Sequence, residues 1–325
     1  MDFQSILFNA LNEILSPTTA AYALAAMGLA VHFGYTGLLN FGQAAYMLVG
    51  SYSFAIATLS GWSFFAAVGL SIVLSLVLTI VLGIPTLRLR ADYLAIVTIG
   101  AAEILRYIVT TTGMTEVTGA SEGLIGFKGT FESLNPIPEG KYDLGTMVIN
   151  EYDLWLRIVG WTLVALVALL LFLLMRSPWG RVLKGIREDE DAVRSLGKNV
   201  FVLKMQALAI GGVLGSLAGV LFVLPRSVQP GNYATTLTFF IWTILLLGGA
   251  ATILGPILGA MTFWVILSLT QGVLYGLVES GIIGFITVTQ VGQIRFMLVG
   301  LLLMLLVIYR PQGVLGNKKE MSFGV

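Results

Sequence analysis

The sequence predicts an all-α polytopic membrane protein, and two observations carry that prediction. Charged residues make up 11% of the 325 residues, where ordinary soluble domains carry roughly 25%, and mean hydropathy is +0.92. Nine apolar segments, at about 17–35, 37–59, 62–87, 92–112, 153–175, 204–225, 235–252, 254–278 and 293–310, approach or exceed the roughly 20 residues that a membrane-crossing helix needs. Eight to ten spans in one membrane domain over 17–325 follow. The absence of cysteine excludes disulfides, thiol catalysis and Cys-ligated metals. A lone histidine, His32, argues against a His-based metal site or catalytic triad, so no metal is expected. It reads as packing or hydrogen-bonding at a helix end, with a proton relay as the alternative.

Taken in order, residues 1–16 carry acids but no Lys or Arg, unlike the start of a signal peptide. Phe3, Ile6, Leu7, Leu11 and Leu15 fall on one helical face, which predicts a short interfacial helix. Segment 34–50, GYTGLLNFGQAAYMLVG, is polar and glycine-rich for a span. Irregular backbone at membrane depth is tolerated where it is buried in protein or lines a watery cavity. Thr36, Gly37, Asn40, Gly42 and Gln43 are therefore candidates for a substrate path; the other reading is close helix packing through small residues. In 92–112, Glu103 and Arg106 stand three apart inside an apolar run. Charges there pair with each other or face the bundle interior, so they form a structural ion pair near the outer end of the span or belong to the path.

Loop 113–152 has turn signals at Asn135-Pro136 and Pro138 and six acids, including Asp143, against Lys128 and Lys141. It is expected to cover an outer mouth or to meet an extracytoplasmic partner. The stretch 176–204 is the opposite, holding seven Lys/Arg and a run of four acids, Glu188 to Asp191. Val182, Leu183, Ile186, Val193 and Leu196 recur at helical spacing and predict a helix over 181–196 with one apolar stripe. Its polar face would be supported by Lys184/Glu188, Arg187/Asp191 and Glu190/Arg194, and Gly197 would stop it. Such a helix suits docking to a partner; the other reading is a solvated loop. Further on, Gly248, Gly249, Gly255 and Pro256 break the helix between two spans, for a tight turn or for substrate contact.

Positive charge orients the chain. The island 176–203 lies in the cytoplasm, and four crossings later so does the tail with Arg310, Lys318 and Lys319. Counting backwards, 113–152 lies outside and Arg88 and Arg90 inside. Whether 1–16 lies outside depends on whether 37–59 crosses completely.

Five stretches carry a resemblance. GRVLKGIREDEDAVRSLG resembles the cytoplasmic coupling segment of ABC importer permeases, with Glu190–Ala192 and Gly197 at its acidic-alanine start and its glycine. LRLRADYLAIVTIGAAEILRYIV, GLLNFGQAAYMLVGSY, GGAATILGPILGA and the tail YRPQGVLG resemble the LivM-type permeases of branched-chain amino acid importers. Gln43 stands where many relatives have His, and Asn40 where they often have Ser. The resemblance implies a permease, not an enzyme, working with a second, LivH-type permease, two ATPases and an extracytoplasmic binding protein. ATP and Mg would sit on the ATPases, with no cofactor in this chain, which shows no P-loop pattern. It also implies that Val182, Ile186, Glu188, Glu190, Ala192, Val193, Leu196 and Gly197 couple to an ATPase. The solute would be a branched-chain or other neutral amino acid, with urea or a short amide as the alternative; nucleic acid is not a partner. An ion-coupled secondary transporter or channel is the reading from another class. The location implied is a prokaryotic cytoplasmic membrane.

Overall fold

The computed structural model describes residues 3–89, 91–143, 148–281, 287–310 and 312–316. Arg90, Pro311, Lys318 and Lys319, and the side chains of Phe3 and Asp143, lie outside the described residues.

Helix α1 (Phe3–Asn12) leads through a 3-10 turn into α2 (Pro17–Leu29), capped by Ser16, whose hydroxyl accepts from the Thr19 amide at 3.1 Å. α2 is buried along nearly its whole length and forms the axis of the fold. It continues as a π-helical stretch, Ala30–Tyr35, then loses regular structure over 36–42 before α3 (Gln43–Leu59). α4 (Phe64–Thr86) and α5 (Ala91–Thr110) follow. In the long loop lie the one-turn helices α6 (Thr115–Thr118) and α7 (Gly129–Glu132) and a hairpin of β1 (Lys141–Asp143) with β2 (Val148–Asn150). The hairpin is a small departure from the all-α expectation.

α8 (Glu151–Arg176) returns to the charged stretch, which holds α9 (Pro178–Glu188) and α10 (Glu190–Ser195). α11 (Val200–Val223), α12 (Thr235–Gly248), α13 (Gly255–Glu279) and α14 (Val288–Tyr309) complete the bundle. α11 packs on α2, α3 and α4. Small residues permit that approach: a Cβ at Gly219 would overlap the Met47 carbonyl, and one at Gly50 the Ser216 carbonyl. This is how membrane helices gain contact where hydrocarbon supplies no hydrophobic drive.

Eight to ten spans were expected; among the described residues five helices (α4, α5, α8, α11, α13) are long and apolar enough to cross a membrane by themselves. The bent α1–α2 pair makes a sixth candidate. α3 and α12 are shorter because irregular backbone at 36–42, 224–234 and 249–254 takes residues from them.

The two ends of the bundle are distinct. At one, Ile6 of α1 fills the space beside Gly272 of α13, and Arg157 near the start of α8 donates to the Asn12 amide oxygen at 2.9 Å. Residues 3–15 thus share an end with loop 111–150, so 17–35 and 43–59 both run between the two ends. Ile6 packs inward while Leu7, Leu11 and Leu15 stay exposed, so only part of the expected apolar face is free. Phe127 and Phe131 of the loop plug into the core against Phe54, Phe64 and Trp155. The other end gathers 34–37, Arg88, α9, α10, the 249–254 turn and 312–316.

Candidate functional site

The break after α2 is inside the protein. Thr36, Asn40 and Gln43 are 2%, 1% and 0% exposed, so their polar groups need partners within the chain. Asn40 supplies several at once. Its Oδ1 accepts from the Gly42 amide at 2.7 Å, its Nδ2 donates to His32 Nδ1 at 3.0 Å, and its carbonyl accepts from the Trp242 indole at 3.3 Å. His32 Nε2 lies 3.1 Å from the Leu208 carbonyl. A carbonyl only accepts, so Nε2 carries the proton and Nδ1 is the acceptor facing Asn40. The ring is a neutral bridge from α11 to the break, which is the hydrogen-bonding reading of this histidine. Gln43 donates to the Ala25 and Gly211 carbonyls, both at 3.2 Å, while its Oε1 finds no partner among the described residues. The Phe41 amide donates to Thr98 Oγ1 at 3.0 Å, and the Phe41 ring stacks on Trp242 at 4.6 Å. Gly37 has φ +74°, a conformation that favours glycine.

The charged end grips this break directly. Arg187, in the last turn of α9, donates through Nη1 to the Gly34 carbonyl. A Cβ on Gly37 would stand 3.2 Å from Arg187 Cγ. Lys184 lies over the Tyr35 ring at 5.9 Å. Thr36 and Gly37 border a cleft of about 310 Å³ shared with Ile186, Arg187, Glu190 and Lys204. Glu190 pairs with Lys204 of α11 and, at 2.8 Å, with Arg194, which also reaches Asp191 at 2.7 Å.

Two expectations about 181–196 need correction. It is not one helix: Asp189 is extended (φ −153°, ψ 103°), and its Oδ1 accepts from the Asp191 and Ala192 amides, both at 3.0 Å, capping α10. Of the pairs expected four apart, Glu190/Arg194 forms within α10, whereas Arg187 is drawn to Gly34 across the break. Nor is the apolar stripe left free. Leu183, Ile186 and Val193 are 0%, 4% and 8% exposed, in the chain's own core, and Val182 is partly buried against it. Leu196 is 79% exposed, and Glu188, Asp189, Asp191 and Ala192 also face outward. Gly197 has φ +76° and turns the chain where α10 ends.

Glu103 and Arg106 form the expected ion pair, Nε to Oε2 at 2.8 Å. Glu103 Oε1 also accepts from the amide and hydroxyl of Thr235, at 3.1 and 2.5 Å, tying α5 to the start of α12. The glycines of the second break serve close packing. A Cβ at Gly248 would overlap the Gly255 carbonyl, Gly249 adopts φ +115°, and Pro256 lies in the first turn of α13. Residues 312–316 fold onto this break: the Val314 and Leu315 amides donate to the Leu247 and Gly248 carbonyls at 2.8 and 3.0 Å. The two breaks also meet, since a Cβ on Gly34 would overlap the Ala250 carbonyl.

Sequence reading missed Thr98, Thr235, Trp242 and Lys204 as partners of these residues. Each comes from a distant segment, and only Lys204, a cation just inside an apolar run, carried a signal of its own.

Residues 13–308 match the family described as branched-chain amino acid transport system / permease component. The chain is 31% identical over 313 residues to the high-affinity branched-chain amino acid transport system permease protein LivM of Salmonella typhimurium, covering 93% of this chain and 69% of that one. The Escherichia coli K12 protein of the same name matches to the same extent. The probable branched-chain amino acid transport permease protein LivM of Methanocaldococcus jannaschii is 28% identical over 337 residues, 91% of each chain. No solved structure matches the chain. Because the match runs from the turn ahead of α2 to the last turn of α14, taking in both breaks and the charged end between them, the chain belongs to the permease component family of branched-chain amino acid transport systems.

Proposed function

We propose that the chain passes branched-chain amino acids inward across a prokaryotic cytoplasmic membrane, beside a second homologous permease and powered by two ATPases. An extracytoplasmic binding protein delivers the solute to the 111–150 end. The observation that carries this reading is the contact of Arg187 with the Gly34 carbonyl, which joins α9 to the broken segment. An ATPase would seat on the outward side of this region, at Leu196, Glu188, Asp191 and the turn at Gly197. Movement of α9 would then act on residues 34–37 and, through Asn40 and Trp242, on α12. Arg88, the 176–204 stretch and Arg310 share one end, and their positive charge supports a cytoplasmic position for it. ATP and Mg belong to the ATPases.

The test is reconstitution of the chain with its partners in liposomes, with loaded binding protein outside and ATP inside. Leucine uptake should require ATP and cease with hydrolysis-dead ATPases. Uptake by the permeases without ATP, driven by an ion gradient, would refute the reading.

A further inference from the structure

Among the described residues, α5 is the least buried of the five self-sufficient spans, with 11% of its apolar window inside the fold against 72% for α11. It is also the least apolar of them. A helix bared to lipid should show the reverse. α4 and α8, each with a third or less of that window buried, are the two most apolar, whereas α13, 22% buried, is closer to α5 in this respect. The exposed face of α5 carries Ile96, Val97, Ile104, Tyr107 and Ile108, and Glu103 and Arg106 lie half-buried on its flank, next to Thr235 of α12. Charges at membrane depth face protein or water rather than hydrocarbon. The flank with Glu103 and Arg106 therefore looks onto a partner subunit or an aqueous path, at a level one turn from the 111–150 loop.

Glu103 is fully engaged there: Oε2 takes Arg106, and Oε1 takes both donors of Thr235. Arg106 is held without being used up. Its Nε goes to Glu103, and its guanidinium lies over the Tyr107 ring, 4.5 Å from the centroid. Apart from the Tyr107 side chain, which also interacts with the guanidinium, its Nη atoms meet no carboxylate or backbone carbonyl among the described residues, and the side chain stays 19% exposed. A guanidinium fixed in this way offers the paired N–H groups that a carboxylate accepts bidentately. Phe239, one turn on from Thr235 and 43% exposed, adds apolar surface on the same side of α12.

We infer that Arg106 binds the α-carboxylate of the amino acid in transit, at the end of α5 next to the 111–150 loop. The inference rests on the amino-acid reading above and extends it to a residue. The neighbouring Glu103 has a purpose here. A bare arginine would hold an anion too firmly, whereas a net-neutral pair matches a zwitterion and lets it leave, as passage requires.

A diazirine-bearing leucine analogue that keeps its carboxylate tests this in the reconstituted transporter. It is photolysed during turnover and the crosslinked peptides are mapped. The wild type should crosslink within 97–110 or 235–239. R106Q should lose those crosslinks and at least about tenfold of the uptake rate, the scale of a lost charge-assisted contact, with ATPase association unchanged. R106K, which keeps the charge but not the fork, should fall between them, and it decides the matter if R106Q fails to reach the membrane. T235V, which loosens Glu103 but leaves Arg106, should keep the crosslinks. The inference is overturned if the arginine variants keep wild-type uptake and crosslinks. It is equally overturned if they lose uptake while crosslinks persist, for then Arg106 only holds α5 in place. A wild-type complex that neither imports leucine nor crosslinks the analogue would sink the amino-acid reading itself, and the role of Arg106 with it.

Discussion

Replacing Asn40 by alanine removes the donor to His32 and the acceptor for the Gly42 amide in one step. Two buried groups would then lack partners, at about 1–3 kcal/mol each. Asn40→Ala should therefore lower the thermal unfolding midpoint of the detergent-purified protein clearly, and Asn40→Asp should do so as well. The aspartate keeps the acceptor, loses the donor and brings a charge to a site 1% exposed. An Asn40→Asp protein as stable as wild type would show that the His32 bridge does not hold the break. Conversion of Gly34 to alanine tests the same region sterically. Its Cβ would meet backbone, the Ala250 carbonyl, which cannot swing aside as a side-chain end can, so loss of folded protein is expected on size-exclusion chromatography.

Among the elements, α9 and α10 give the sharpest separation of roles. Arg187→Ala cuts the link to Gly34 but leaves the outward surface of α10 intact. ATPase association should persist while leucine uptake falls several-fold and hydrolysis continues. Asp189→Ala acts the other way. It removes the α10 cap, worth about 1 kcal/mol, and should weaken ATPase association in a pull-down. Equal behaviour of the two variants in both assays would show that the two helices work as one lever. The same elements mark how far the sequence could be read. The spacing of Leu183, Ile186 and Val193 disclosed the helical character and the apolar face, but periodicity states only that a face is covered. Here the chain covers it itself. The break at Asp189 was hidden because four successive acids look like a solvated helix face, and only the folded backbone shows one of them turned to cap its neighbours. Asn40 and Gln43, by contrast, were legible as inward-facing, because an amide has nowhere else to go at membrane depth.

For the whole molecule, cysteines introduced singly at Lys184 and Lys141 report sidedness, since the chain has none of its own. An impermeant thiol reagent added to sealed cells should label position 141 and not 184. A cysteine at Ser5 should label with 141, because α1 shares that end through Ile6 and Asn12. Labelling at 184 from outside would invert the whole arrangement. The order of crossings was legible in the basic residues; the side of α1 was not, since residues 1–16 hold no Lys or Arg and only its seat on α13 settles which end it joins. The turn at 312–316 has a further consequence, for synthesis. Its two hydrogen bonds, from the Val314 and Leu315 amides to the Leu247 and Gly248 carbonyls, close the end of α12, yet these residues leave the ribosome after every helix of the bundle. Until they arrive, the second break lacks its lid and Gly34 rests on an unfinished neighbour. A nascent chain that has inserted every span is thus still incomplete at this end of the bundle. A premature stop just before residue 312 should give a protein that reaches the membrane and is then recognised and degraded there.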